Sequence, residues 1–499
     1  MTNSPTIMSF NIFVLGFVSL CLAVAWVVPR RSKVALHRVG RDPGILGLHL
    51  YAARREFEEK GHNLVDDGYH KFKDDGFIIQ TQDMERVVIP PKYLAELRML
   101  PETKLSHAAA LVEKHLGYCS GVDTILQSRL HSDVCRVQLT QHLPVFVPDM
   151  AAELSFAMSG FLTDCTAQEY TPIPTYVYVY SMSLAVSSRI FVGLPLAHDK
   201  AWLDTISAYL IEVVATANAL RPYPCLLRPL LRPFLAPKSR MNDILSKAQA
   251  VLGPAILEKQ NAKHKANDLL GFLILGSEVV EPIAIILKLL SATLHTSTMA
   301  AVHTLYDLCE RPECIPELRA ETKLALQEDD GSWQFTTTKK LRKLDSFIKE
   351  SMRYNQPDAL AFNRIVLSPV KLSNGLGLPV GTFINMAAES MSRDPAFYDN
   401  PNIFNGDRFF KPSESTKGVN PLEEFTGIVE PGNLAWGSGR LTCPGRWYAN
   451  AMNKLIIGNL LEGYDMKFPD GVTRPDNLYS NAGIMPNPTQ EILLKKLVN

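Results

Sequence analysis

The residues best equipped for chemistry lie between Trp436 and Ala449, in WGSGRLTCPGRWYA, where Cys443 stands between a glycine-loosened loop and a proline-started helix. Gly437 and Gly439 permit backbone angles and close approaches that a Cβ would block, so the loop can pass close beneath a flat ligand. Gly445 extends that freedom past the sulfur. Pro444 suits the first position of a helix, and Tyr448, Met452, Ile456 and Leu460 recur every fourth position after Arg446. Cys443 is therefore expected near a helix N-terminus, where unpaired N–H groups and the positive end of the dipole favour a thiolate, helped by Arg440 and Arg446. A thiolate is a metal ligand. The plain alternative is a small, inert, buried hydrophobe.

Three further constellations stand out. Glu350 and Arg353, in DSFIKESMRY, are three apart on an expected helix and can pair, although such a pair is most often an exposed contact worth little. The segment LLSATLHTSTMAAVHTLYDL, from Leu289 to Leu308, reads as an apolar helix interrupted by hydroxyls and His295. Ser and Thr in such a helix can bond back to the preceding turn. Arg136 in SDVCRVQLTQHL and Arg364 in AFNRIV offer permanently charged, bidentate forks suited to carboxylates, or equally plain surface arginines.

These groups need a large scaffold, and 499 residues with 46% hydrophobic and 20% charged composition supply an ordinary globular one. No Gly/Ser-rich linker or internal repeat divides it, so one catalytic body over residues 31–499 is expected. Lysines plus arginines equal acidic residues at 51 each, which excludes nucleic acid as a partner by overall charge. The eight cysteines form no CxxC pair and no zinc-ligand spacing, and fit a reducing compartment.

Residues 8–28 carry no charge, and as a helix they would reach about 31 Å, enough for a bilayer core. Pro29, Arg30, Arg31 and Lys33 follow at once, so the positive-inside rule puts the body on the cytosolic side. A cleaved signal peptide competes with this reading, but a basic n-region and a small-residue cleavage pattern are missing. An uncleaved membrane anchor over residues 1–30 is expected. Beyond it, Gly76 to Gln80 and Arg86 to Ile89 suggest a small early β region, and residues 130–350 read as mostly helical. RPYPCLLRPLLRPFLAPKSR, 221–240, reads as a connector on the membrane surface or in solvent. Strands are expected at Ile365 to Val370 and Thr382 to Met386. The fold class is mainly α with small β-sheets.

Trp436, Gly437, Gly439, Cys443, Pro444, Gly445 and Ala449 together resemble the haem-binding loop of the cytochrome P-450 family. In that family the cysteine thiolate is the axial ligand of haem iron and favours O–O cleavage. The resemblance extends in order along nearly the whole chain. Glu350 and Arg353, about 90 residues before Cys443, and Arg408 in NIFNGDRFF are similar to a buried charge network that supports the haem loop. Thr296 falls at the proton-delivering threonine of the family. His295 stands where an acid is usual, and its imidazole, titrating near neutral pH, could also pass a proton. This His-Thr pair resembles fungal members used in secondary metabolism.

The resemblance also implies that Trp436, Gly437, Gly439 and Arg440 cradle the haem and that Arg364 and Arg136 meet its propionates. The chain departs from the family at Leu441, where a basic residue is usual, and Arg440 is the neighbouring candidate for that contact. Ala292, Leu360, Phe362, Ile484 and Met485 are implied as pocket walls. The implied protein is a cytochrome P-450 fold behind one transmembrane helix, in the endoplasmic reticulum membrane and facing the cytosol. Its implied partner is a reductase that brings electrons from NADPH. The implied reaction inserts one oxygen atom from O2 into a C–H or C=C bond of a lipophilic secondary metabolite, a terpenoid or meroterpenoid by association with the fungal branch. Rearrangement, desaturation or coupling by a haem-thiolate enzyme stays open as an alternative, as does a membrane-tethered haem sensor.

Overall fold

The structure is a computed structural model that describes residues 32–44, 47–223, 225, 227–261, 267–275, 282–410, 427 and 429–498. The expected anchor over residues 1–30 lies outside them. Short β-branched runs begin the architecture: β1 (His37–Val39) pairs in parallel with β2 (Phe77–Gln80), which turns back into antiparallel β3 (Glu85–Val88). Helix α1 (Leu50–Lys71) connects the first two and buries Phe57, Val65 and Tyr69 against them. Next come β4 (Leu105–Ser106) and α2 (His107–Lys114), whose first turn is capped by the Ser106 hydroxyl accepting from the Ala109 N–H at 3.0 Å.

The helical half follows as α3 (Leu143–Phe161), β5 (Thr171–Pro174), α4 (Thr175–Phe191), α5 (Lys200–Leu220), α6 (Arg228–Leu235), α7 (Lys238–Asn261), α8 (Pro282–Glu310), α9 (Ile315–Gln327) and α10 (Arg342–Tyr354). Strands β6 (Leu360–Val366), β7 (Val370–Lys371), β8 (Gly377–Leu378) and β9 (Phe383–Ala387) come next. Helix α11 (Arg446–Gly463) and strands β10 (Tyr464–Lys467), β11 (Leu478–Ser480), β12 (Gly483–Met485) and β13 (Glu491–Lys496) complete the described chain. The main sheet runs β1-β2-β3-β9-β6-β4, a smaller one β10-β13-β5, and β11-β12 and β7-β8 form two-stranded ribbons.

Apolar side chains collect in two principal cores. One lies between the main sheet and α1, and the larger lies among α3, α4, α8, α10 and α11. Helix α8 runs through the larger core. From Ala301 to Cys309 every residue is buried, the pattern of a helix enclosed on all sides. Ala292 and Thr296, one turn apart, keep exposed surface on this core helix, so their shared face opens on internal space. Helices α5 and α8 are long and apolar enough to cross a membrane by length and composition. Both pack into the larger core, α8 on α4, α10 and α11, and α5 on α7.

The mainly helical expectation matches, and two local expectations need correction. The strand expected at Ile365–Val370 starts earlier, at Leu360, and stops at Val366. Pro369 has no N–H for a ladder, and the Leu367 N–H bonds instead to the Lys104 carbonyl at 2.8 Å, so the chain bends before β7. The connector at 221–240 is partly helical: Pro229 starts α6, which turns Leu230 and Phe234 outward.

Candidate active site

The loop before α11 is shaped by local bonds that hold its cysteine still. The Cys443 N–H donates to the Trp436 carbonyl at 2.8 Å, the Gly437 N–H to Leu434 at 2.8 Å, and the Thr442 hydroxyl to Gly439 at 2.8 Å. Gly437 and Gly439 take φ of +74° and +71°. At Gly439 an added Cβ would sit 2.4 Å from the Arg98 carbonyl, so the loop rests directly on the backbone that follows β3. Cys443 lies just before α11, within reach of the Gly445 and Arg446 backbone N–H groups.

Cys443 lines a cleft of about 660 Å³, counting the part open to solvent, with Thr296, Ala300, Met352, Trp436 and Asn453 around it. The expectation of a lowered thiol pKa is corrected for the protein alone. Burial pushes the thiol up, and the Gly445 and Arg446 N–H groups with the Arg446 charge only partly offset it. Arg440, expected to help, is exposed and takes no part in that balance. A cation at the sulfur reverses the balance, because a coordinating thiol is deprotonated outright. A deep sulfur with two N–H groups aimed at it, at a helix N-terminus beside a cleft, fits the axial site of a haem.

The charge network assembles in full. Glu350 accepts from Arg353 Nε at 2.7 Å and Nη2 at 2.8 Å, from Arg408 Nε at 3.0 Å, and from the Asn405 N–H at 2.9 Å. Arg353 spends its remaining nitrogen on the Ser392 and Pro401 carbonyls, and Arg408 spends its own on Asp399 and Ile403. Glu350 and Arg353 are fully enclosed, so this is not the exposed contact that their spacing alone suggests.

Across the cleft, the Thr296 hydroxyl donates to the Ala292 carbonyl at 2.7 Å, leaving its oxygen free as an acceptor. His295 does not line the cleft. Burial holds its imidazole below the ordinary value, with Asp358 opposing and Lys114 adding to the effect, and those two residues pair at 2.7 Å. Arg364 is buried on β6, where Nη1 donates to the Asn363 carbonyl at 2.8 Å and meets His107 Nδ1 at 3.0 Å. Among the described residues no carboxylate lies within ion-pair distance of it, so an interior cation waits for an anion, as a propionate-binding residue would. Arg136 is exposed and donates to the Arg440 carbonyl at 3.4 Å, which ties its helix to the cysteine loop.

Of the expected site residues, Thr296, Trp436 and Cys443 share the cleft. Leu360, Phe362, Ile484, Met485 and Ala292 do not line it; the backbone around Ile484 instead joins the residues before β6, the Ile484 N–H donating to the Pro357 carbonyl and the Ala359 N–H to the Ala482 carbonyl. Phe362 takes φ of +56° where the β6–β9 register shifts, a bulge that re-aims the side chains around Arg364. Sequence reasoning missed Ser297, His303 and Asn453, which also line the cleft. His303 was findable, because seven residues after Thr296 is two helical turns on the same face.

The sequence profile described as cytochrome P450 matches residues 128–494. A cytochrome P450 monooxygenase of Emericella nidulans is 34% identical over 450 residues, 87% of this chain and 83% of that protein. An ent-kaurene oxidase of Gibberella intermedia is 31% identical over 486 residues, covering 96% and 91%. A cytochrome P450 monooxygenase of Penicillium paxilli is 33% identical over 460 residues, covering 88% and 86%. Among solved structures, retinoic-acid-bound cyanobacterial CYP120A1 superposes with a TM-score of 0.65 at 17% identity, covering 93% of this chain and all of that one, which speaks for the fold.

Proposed function

This chain belongs to the cytochrome P450 family and is a monooxygenase of the oxidoreductase class, and from that premise we propose that it oxygenates a lipophilic terpenoid or meroterpenoid of fungal secondary metabolism. The observation that carries the reading is the deep Cys443 sulfur facing, across one cleft, a helix that presents the Thr296 hydroxyl. The name of one relative, ent-kaurene oxidase, supports the terpenoid choice.

In this reading Cys443, met by the Gly445 and Arg446 N–H groups, would supply the thiolate that holds the haem iron, and Arg364 would pair with one of its carboxylates. Trp436, Gly437, Gly439 and Arg440 would cradle the group, and Arg136 would brace that loop through its bond to the Arg440 carbonyl. When bound, the haem supplies electron transfer and O2 activation. Glu350, Arg353 and Arg408 keep the cradle in register. Thr296 holds a proton at its oxygen, and neutral His295 stands one residue behind it. The apolar part of the cleft wall comes from Met299, Ala300, Met352, Pro357 and Ala435. An anchor over residues 8–28 sets the protein in the endoplasmic reticulum membrane facing the cytosol, where a reductase brings electrons from NADPH.

The test is the carbon-monoxide difference spectrum of the reduced, purified protein beside Cys443→Ala. Wild type should show the red-shifted Soret band of a thiolate-ligated haem, and the variant should lack it. A variant that keeps the band removes Cys443 as ligand and the reading with it. Turnover of candidate terpenoids with reductase under labelled O2 should then place label in the product, whereas unlabelled product would shift the assignment to rearrangement, desaturation or coupling.

A further inference from the structure

Helix α6 carries its polarity the wrong way round for a surface helix. Leu230 and Phe234 are 68% and 82% exposed, whereas Arg228 and Arg232, one turn apart, are half-buried and bend back onto the chain. Arg228 Nε donates to the Tyr223 carbonyl at 3.0 Å, and Arg232 Nη2 to the Cys119 carbonyl at 2.7 Å. Two more guanidinium groups meet them there. Arg221, which follows α5, donates from Nη2 to the Lys114 carbonyl at 3.2 Å. Arg54 of α1 donates from Nη1 to the Pro222 carbonyl at 2.8 Å and from Nη2 to the Asp83 carbonyl at 3.1 Å. Arginines from α1, the end of α5 and α6 therefore converge on the turn at 221–223.

Carbonyls give these arginines hydrogen bonds but no opposite charge. Among the described residues none of Arg54, Arg221, Arg228 and Arg232 has a carboxylate within ion-pair distance, and Asp83, whose charge reaches Arg54 and Arg221, is already taken by Arg86 at 3.2 Å. Burial pulls the Arg54 and Arg221 guanidinium groups down, Asp83 opposes it, and the Arg228 charge adds to the effect on both. Burial also pushes the Glu113 carboxyl up against the pull of Arg228, which weakens it as a counterion. Like charge gathered at one turn is costly until an anion joins it. The donors left over are accessible ones. The Nε atoms of Arg54, Arg221 and Arg232 are enclosed, but Nη1 and Nη2 of Arg228 and Nη1 of Arg221 and Arg232 keep accessible surface and have no hydrogen-bond partner among the described residues. A carboxylate offers its oxygens in one plane and suits one fork, whereas the tetrahedral oxygens of a phosphate suit several forks arriving from different elements. Beside the site stand the exposed Leu230 and Phe234 and, one turn before Arg54, the exposed Tyr51, so an apolar chain on the phosphate would have a surface to lie on.

We propose that the open nitrogens of Arg221, Arg228 and Arg232, backed by the charge of Arg54, form a binding site for a phosphate group, carried by a lipid or by a soluble phosphate. Its occupant would supply the negative charge that this turn lacks and tie α6 to the segment at 114–119. The site uses no residue of the cysteine-bearing cleft, so failure of the Cys443 spectrum would leave it standing.

The test uses full-length, haem-loaded protein in non-ionic detergent and follows phosphorus NMR line broadening at fixed ionic strength, with inorganic phosphate and dihexanoyl phosphatidic acid as separate probes. Wild type should bind at least one of them. Arg228→Gln removes two open nitrogens and leaves the carbonyl contacts of the other arginines in place, so it should weaken that binding about tenfold, the factor that about 1.4 kcal/mol represents. Arg55→Gln, whose residue pairs with Glu59 on the exposed face of α1, should match wild type. Tighter binding of phosphatidic acid than of inorganic phosphate, with the difference reduced in Arg228→Gln, supports the site with a lipid headgroup as the source. Equal binding of the two, lost in Arg228→Gln, supports it with a soluble phosphate as the source. Neither probe broadened in wild type, or Arg228→Gln indistinguishable from Arg55→Gln, overturns the proposal. If Arg228→Gln does not fold, Arg232→Gln, one turn along the same face of α6, decides by the same comparison.

Discussion

At Glu350 one enclosed carboxylate holds the enclosed Arg353 and the part-buried Arg408, and neither has a second carboxylate within ion-pair distance among the described residues. Taking the carboxylate away leaves buried charge uncompensated, a loss that costs roughly 3 to 5 kcal/mol, far more than the net worth of the pair. Glu350→Gln should therefore lower stability by about that amount in urea denaturation and reduce haem content in parallel. Arg55, paired with Glu59 on the surface of α1, gives the comparison. Arg55→Ala should leave the urea midpoint unchanged, because exposed pairs are screened by water and salt. Equal shifts for the two variants would mean that the Glu350 network is a surface-like contact after all.

The cysteine loop works as a unit because its glycines let it rest on another backbone. At Gly439 both the positive φ and the Arg98 carbonyl 2.4 Å from an added Cβ oppose any side chain. Gly439→Ala should keep native helix content by circular dichroism and lower the haem-to-protein ratio, since the loop must lift away from Arg98 and carry Cys443 with it. Gly160, in α3, has nothing within 4 Å of an added Cβ. Gly160→Ala should raise stability by about 0.5 to 1 kcal/mol through chain entropy and leave haem content alone. Full haem retention in Gly439→Ala would separate the loop's glycine requirement from ligand presentation.

Over the whole molecule, three deeply set histidines tie stability to acidity. Burial holds His107 down to about 4, and His115 and His303 down to about 3. In the unfolded chain each titrates near 6.5. Their folded values are depressed, so between those limits the unfolded state binds more protons. The stability they allow is fully present above about pH 6.5 and is lost as pH falls toward 4. Each contributes a slope of about 1.4 kcal/mol per pH unit in that window, about 4 kcal/mol for the three together. Urea midpoints taken from pH 7 to pH 5 should fall steeply, and His107→Asn should flatten the slope by about a third of that sum. A flat profile across this range would show that the imidazoles already carry protons in the folded state.

What the sequence by itself determined is what depends on neighbours along the chain. The loop around Cys443, the three-residue spacing of Glu350 and Arg353, and the apolar periodicity of α8 and α11 each lie within a few turns of backbone, where short-range geometry decides which side chains meet. Arg408 was reachable only through the family resemblance, since nothing local links it to Glu350. The tertiary structure alone decided the rest. It inserted β9 between β3 and β6, bent the chain at Pro369, and brought Arg474 to Asp307 and His303 across more than 160 residues. It also set the charge state of Cys443: the helix N-terminus legible in the sequence does pull the thiol down, but burial, which no local window contains, pulls harder until a cation arrives. Backbone propensity and spacing act over a few residues, whereas burial and long-range pairing exist only once the chain has closed on itself.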